Sequence, residues 1–258
     1  MNPFLNIAIQ AARASGRVIM RFADQLDRIE VTEKGRNDLV TQVDQLAEQE
    51  IIEHITKAYP RHSIISEEAG HLPKDEDMCW VIDPLDGTAN FVHGFPQFAI
   101  SIALKKKGQL EMGCIYDPVR QELFTAVKGK GAHLNNRRIR IGTTRKMQNA
   151  LVGTGFPFRQ PEQKEMYLKT FANVFTDVSD IRRAGAAALD LAYVACGRLD
   201  AFWEFGLKEW DMAAAVLMIK EAGGFVSDCA GNTDYLTSGN IVAGNVYTHP
   251  ALLDCIQK

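Results

Sequence analysis

One stretch constrains the fold of this chain more than any other: Trp80-Val81-Ile82-Asp83-Pro84-Leu85-Asp86-Gly87-Thr88-Ala89-Asn90. Cys79 to Ile82 is an apolar run of the right length for a buried strand, and it ends in two aspartates separated by Pro84 and Leu85. Two carboxylates in such a place repel each other and lose hydration, so a positive charge has to stand between them. A divalent cation is the simplest candidate. Pro84 fixes its own φ and biases Asp83 toward extended backbone, so the chain turns sharply and can aim both side chains and the Leu85 carbonyl at one point. Gly87 lets backbone approach a ligand closely, and a helical turn begun there would offer free N–H groups to a phosphate. The simpler alternative is a capped turn, in which Asp83 and Asp86 bond nearby N–H groups in Asx-turn fashion.

The rest of the chain can bury an ample core around this stretch. Its 258 residues suit one large domain or two lobes sharing an interface, and 46% hydrophobic with 24% charged residues is the composition of a folded globular protein. A net charge of −3, with basic pairs and triplets scattered at Lys105 to Lys107, Arg137-Arg138, Arg145-Lys146 and Arg182-Arg183, argues against direct nucleic-acid binding. Five cysteines, far apart and without a C-x-x-C pair, suit free thiols in a reducing compartment and argue against a thiolate zinc site. No apolar run approaches membrane-spanning length and the first residues lack a secretion pattern, so the expected location is the cytoplasm, with no membrane partner.

Taken in order, Phe4 to Phe22 recur at helical spacing, and the polar run Glu33 to Asp38 reads as a mobile loop in which Lys34 could close over an anion. A second helix follows Thr41 and Asp44, and Asp44 at its start is either a cap or a functional acid. Ser63 to Ser66 reads as a strand running into Glu67, and Gly70 to Asp77 as a surface loop. Beyond the central stretch come short alternating segments, Phe98 to Leu104, Met112 to Tyr116, Leu123 to Val127 and Ile139 to Ile141, an antiparallel meander. From Leu151 strand and helix patterns alternate: strands at 151–154, 201–205, 225–227 and 241–243, helices at 162–175, 186–195, 211–222 and from about 250. The expected division is an N-terminal α+β lobe over 1–148 and a C-terminal α/β lobe over 149–258. Glu204 stands out as an acid inside the aromatic run Phe202-Trp203-Phe205.

Glu67, Asp83, Asp86 and Asp211 all fall at element ends. If they converge, they make an all-oxygen pocket that selects Mg²⁺ or Mn²⁺, with charge enough for two ions, the arrangement that phosphoester hydrolysis uses. Asp211 taken alone is an N-cap on the helix beginning at Met212.

WVIDPLDGTANFVH at 80–93 and WDMAAAVLMIKEAGG at 210–224 resemble the two signature segments of the inositol monophosphatase family, metal-dependent and lithium-sensitive sugar phosphatases. LVTQVD at 39–44, ISEE at 65–68, GTGFPF at 153–158 and the stretch Arg183 to Asp211 match as well, so the similarity spans the chain. The resemblance implies a layered helix-and-sheet sandwich, α+β joined to α/β, of the inositol monophosphatase and fructose bisphosphatase type. It implies Glu67, Asp83 and the Leu85 carbonyl as ligands of a first Mg²⁺, and Asp83, Asp86 and Asp211 as ligands of a second. Thr88 with Asp44 would orient the attacking water near Glu67, and the Gly87 and Thr88 amides would bind phosphate. Asp86, Gly185, Ala186, Ala187, Glu204 and Asp211 would meet the substrate, and Lys34 would belong to a mobile loop that helps retain a third metal. The implied activity is hydrolysis of myo-inositol 1-phosphate or another small polyol or sugar phosphate. Ala89 and Ala186 stand where many relatives carry Thr, which leaves the substrate preference open. Within the family the likeness is closest to a bacterial branch associated with RNA polymerase and transcription antitermination complexes, which adds a scaffold role as the alternative. A homodimer is expected by the same analogy.

Overall fold

The computed structural model describes residues 2–26, 29, 31–35 and 38–258, with backbone alone for 33–35, 38, 39, 75 and 76. Helices α1 (Pro3–Ala23) and α2 (Gln42–Ala58) pack against each other, and between them in the chain β1 (Val31–Gly35) pairs antiparallel with β2 (Asp38–Thr41). Asn2 caps α1 by accepting from the Phe4 and Leu5 amides, and Pro3 supplies a pre-set first turn.

The larger sheet contains β3 (His62–Ser66), β4 (Gly70–Leu72), β5 (Asp75–Asp86), β6 (Ala99–Lys106), β7 (Gln109–Asp117), β8 (Glu122–Val127), β9 (Gly131–Leu134) and β10 (Arg137–Arg138). Its order is β10-β9-β8-β7-β6-β5-β3-β4, antiparallel except where β3 runs beside β5. The short helix α3 (Thr88–Val92) follows β5 directly. The smaller sheet joins β11 (Leu151–Thr154), β12 (Asp180–Arg182), β13 (Ala201–Glu204), β14 (Phe225–Ser227) and β15 (Ile241–Gly244) in the order β12-β11-β13-β15-β14. With it come α4 (Lys164–Asp177), α5 (Ala187–Ala195), α6 (Glu209–Glu221), α7 (Tyr235–Ser238) and α8 (Thr248–Gln257).

These elements stack in alternating layers, as expected of the sandwich. Along β5 and β6 successive side chains leave opposite faces of the sheet. Trp80, Ile82, Ile100 and Ile102 pack against α1 and α2, whereas Val81, Ala99 and Ala103 pack against α5 and α6. α6 is apolar all round because it lies between the two sheets, and Met212 to Ile219 are all buried. α4 and α8 cover the far side of the smaller sheet around Trp203, Val242 and Tyr167. Among the described residues no helix is long and apolar enough to cross a membrane.

Several local expectations change. Glu33 to Gly35 lies in β1 and Asp38 in β2 rather than in a loop, with 36 and 37 outside the described residues, and Gly70 to Leu72 pairs with β3 as an edge strand. Both segments are polar, so ladder hydrogen bonds and not apolar alternation make them strands. The last strand of the meander is Arg137–Arg138; the Ile139 amide still donates to the Ala132 carbonyl of β9 at 2.9 Å, and beyond it Ile139 and Ile141 pack into the α5–α6 core. β12 and α7 are additional elements that periodicity does not signal, each too short to show a repeat.

Candidate active site

Residues three apart on a regular strand point to opposite faces, yet Asp83 and Asp86 serve one place. The cause is a bulge. Asp83 pairs with Ser101 and Asp86 with Ala99, and the register slips between them at Pro84, which has no N–H to give the ladder. The Asx-turn alternative is also present in part, since the Leu85 amide donates to Asp83 Oδ1 at 2.9 Å. Asp86 Oδ2 accepts from the Ala188 amide at 2.7 Å, which places a carboxylate on the N-terminus of α5.

Asp211 comes to the same point from the first turn of α6. It is not the N-cap. One oxygen accepts from the Lys208 amide at 2.7 Å in a capping-box arrangement, so the acid can cap the helix and face the site at once. Oxygens of Asp83, Asp86 and Asp211 lie within 4.8 Å of one another. Glu67, at the end of β3, lines the same cavity, and its amide bonds the Ile82 carbonyl at 3.3 Å.

The electrostatics are those of crowded acids. Burial, followed by the charges of Glu67, Asp86 and Asp211, raises Asp83 well above the usual carboxylate range. Burial and then Asp211 push Asp86 up to about 8, and burial raises Asp211. A set of hard oxygen donors that resist ionisation together fits a divalent cation of the Mg²⁺ or Mn²⁺ kind, which would remove the repulsion.

Gly87 has φ +94°, and a Cβ there would sit 2.8 Å from the Gln97 carbonyl, so this turn into α3 requires glycine. Thr88 Oγ1 donates to Asp44 Oδ1 at 2.9 Å and lies 3.1 Å from the Leu85 carbonyl. Asp44 is the third residue of α2 and not its N-cap: Thr41 is the cap, and the other Asp44 oxygen accepts from the Thr41 amide and hydroxyl to close a capping box.

A cavity of about 570 Å³ opens from these acids. Gly185, Ala186 and Ala187 line it, as does Glu204, which burial and then Asp211 hold well above the usual carboxylate range. The backbone at Lys34 lies in β1, and its side chain is outside the described residues.

Sequence reasoning does not single out Gly155, Arg183 or Asp190, which line the cavity too. A Cβ on Gly155 would collide with the Glu204 carboxylate. Arg183 is held over the Phe156 and Phe158 rings at 5.3 and 5.4 Å. Asp190, raised well above its usual range by burial and then Asp86, gave the same signal as Glu204, an acid within an apolar run.

A model of the inositol monophosphatase family matches residues 1–258. The chain is 54% identical over 262 residues to the Nus factor SuhB of Pseudomonas aeruginosa, covering 100% of this chain and 97% of that protein. Among solved structures it resembles the extragenic suppressor protein SuhB of Bartonella henselae with a TM-score of 0.97 and 43% identity, over 100% of this chain and 99% of that one. It also resembles the inositol monophosphatase of an Anabaena (Nostoc) species, with a TM-score of 0.89 and 36% identity over 98% and 95% of the two chains.

Proposed function

The chain belongs to the inositol monophosphatase family, and from that premise we propose that it is a Mg²⁺-dependent phosphatase hydrolysing myo-inositol 1-phosphate or a closely related small polyol phosphate. The observation that carries this reading is the meeting of the Asp83, Asp86 and Asp211 oxygens within 4.8 Å at the wall of a cavity that also contains Glu204.

Glu67, Asp83, the Leu85 carbonyl, Asp86 and Asp211 would hold two ions, with Asp83 shared. Bound there, the ions supply Lewis-acid activation of water and neutralise the phosphate ester. The remaining roles belong to the chain. Thr88 donates its hydroxyl hydrogen bond to Asp44, which leaves the Thr88 oxygen free to accept from a water and fix its orientation. Amides of Gly87 and Thr88, at the start of α3, receive the phosphoryl oxygens. Glu204 and Asp211, with backbone from Gly185 to Ala187, bind ring hydroxyls, and a polyol matches that row of acceptors better than an apolar leaving group would. Phosphate release from myo-inositol 1-phosphate, with and without Mg²⁺, on wild type beside Asp83→Asn tests this. Turnover that persists without divalent metal or in the variant would reject it.

The Nus factor name of a relative 54% identical over the whole chain favours a second role, binding to RNA polymerase or antitermination factors. A Glu67→Gln, Asp83→Asn double variant separates the two, since a binding role independent of catalysis survives in it and is measured by polymerase pull-down.

A further inference from the structure

α2 carries a second buried acid one turn beyond Asp44. Glu48 is 5% exposed, and residues four apart on a helix share a face. Asp44 uses that face to grip Thr88, beyond the end of β5. Glu48 uses it to grip the end of β3. Its Oε1 accepts from the Ser66 hydroxyl, from the Glu68 amide at 3.0 Å and from the Ala69 amide at 3.2 Å. These donors bracket Glu67, whose own amide is tied to the Ile82 carbonyl beside Asp83.

We propose that Glu48 is a positioning residue: it clamps the chain on both sides of Glu67 and so fixes where the Glu67 carboxylate stands relative to Asp83. The inference rests on the reading of Glu67 and Asp83 as metal ligands. Like charge on Asp83 and Asp86 opposes bringing the Glu67 carboxylate toward them, so the backbone that carries it has to be held in place. Three donors converging on one buried oxygen hold it, and a buried carboxylate that satisfies amide donors is hard to replace without loss. With Asp44 the arrangement makes α2 a two-pronged brace that aligns the ends of β3 and β5, the two adjacent parallel strands that feed the site.

The test is Mn²⁺ binding, followed by electron paramagnetic resonance of the free ion, on wild type, Glu48→Ala, Glu48→Gln and Ser66→Ala, with folding checked by circular dichroism. Mn²⁺ affinity in Glu48→Ala is expected to fall about tenfold or more, the range found when groups that orient metal ligands are removed. Glu48→Gln, whose amide oxygen can take the same donors, is expected to stay within about threefold of wild type, and Ser66→Ala to lie between them. A merely structural glutamate would lower thermal stability in Glu48→Ala and leave Mn²⁺ affinity unchanged, which overturns the proposal. Equal loss in Glu48→Gln and Glu48→Ala also overturns it, since charge and not the clamp would then matter. If Glu48→Ala does not fold, Ser66→Ala decides: affinity equal to wild type rejects the clamp. Wild type that binds no Mn²⁺ would instead reject the metal site itself.

Discussion

Thr88 Oγ1 stands 2.9 Å from Asp44 Oδ1, a hydrogen bond between residues 44 positions apart, while the Thr41 amide and hydroxyl occupy Asp44 Oδ2. Donors therefore meet both oxygens of a carboxylate that burial alone would push toward its neutral form. The consequence for Thr88 is directional: its single proton serves acceptors of the protein, Asp44 Oδ1 or the Leu85 carbonyl, and its lone pairs are what the cavity sees. In Thr88→Ala the water loses its acceptor, and kcat is expected to fall about 100-fold with KM changed little. Steady-state kinetics on myo-inositol 1-phosphate measures this, and a change confined to KM would show that Thr88 binds substrate instead.

Gly155 and Glu204 make a second linked pair. Because a Cβ at 155 would overlap the Glu204 carboxylate, Gly155→Ala must displace the acid from the place where ring hydroxyls are expected. Misplacement by about 1 Å can cost on the order of 100-fold in turnover. The expected result is at least a tenfold fall in kcat/KM for the polyol phosphate with Mn²⁺ affinity preserved. An unaltered kcat/KM would place substrate elsewhere in the cavity.

The acid cluster sets the sign of a pH effect. Asp83, Asp86 and Asp211 all take protons more readily in the folded chain than in an ordinary aspartate. The stability they contribute is thus fully present below the ordinary value of 3.8 and is lost as pH rises through the raised values, about 8 for Asp86. His249, whose pKa burial lowers, acts in the opposite sense, its contribution being lost as pH falls, and is common to all samples. Metal-free protein should therefore melt lower at about pH 8 than at about pH 6, and Mg²⁺ should stabilise it most at the higher pH, by about 5 °C or more. Asp86→Asn should reduce this difference. A melting temperature that responds to Mg²⁺ equally at both pH values would refute the coupling.

How much of this was legible in the sequence depends on distance along the chain. Asp83, Asp86, Gly87 and Thr88 could be grouped because one bulge and one turn, both signalled by Pro84 and Gly87, bring them together. Local pattern flags Asp211 only as an acid at a helix start, and it is the resemblance of 210–224 that groups it with Asp83, since their meeting requires α6 to lie between two sheets, which no local pattern encodes. Glu204 announced itself by interrupting an aromatic run; Asp190 interrupts an alanine-rich run in the same way, yet an acid within a helix pattern was not singled out. Glu48 gave no such signal. It sits in a helix already rich in polar residues, and only the return of β3 to its side reveals three donors on one oxygen. Helices and most strands were readable from apolar periodicity and the layered sandwich from the family resemblance, whereas β4 and β10, held by ladder bonds alone, were not.

The placement of α6 itself can be tested at Gly113. On β7 this residue faces the helix, and a Cβ there would lie 2.6 Å from the Ala214 carbonyl and 3.0 Å from its Cα. Both are backbone atoms, so no side-chain rotation can make room. Ala99 and Ala103 on β6 keep the same face shallow, and the Ser101 hydroxyl donates to the Trp210 carbonyl at 3.1 Å, fixing the helix start one residue before Asp211. In Gly113→Ala the helix must lift from the sheet or the strand must bend. Overpacking of this kind costs about 1–3 kcal/mol, or roughly 2–4 °C in melting temperature per kcal/mol for a chain near this size. Since Asp211 rides on the displaced helix, Mn²⁺ affinity should fall in the same variant. Melting and Mn²⁺ titration on one preparation read both effects. A variant as stable as wild type would show that α6 does not rest on Gly113, and a destabilised variant with unchanged affinity would detach Asp211 from the metal site.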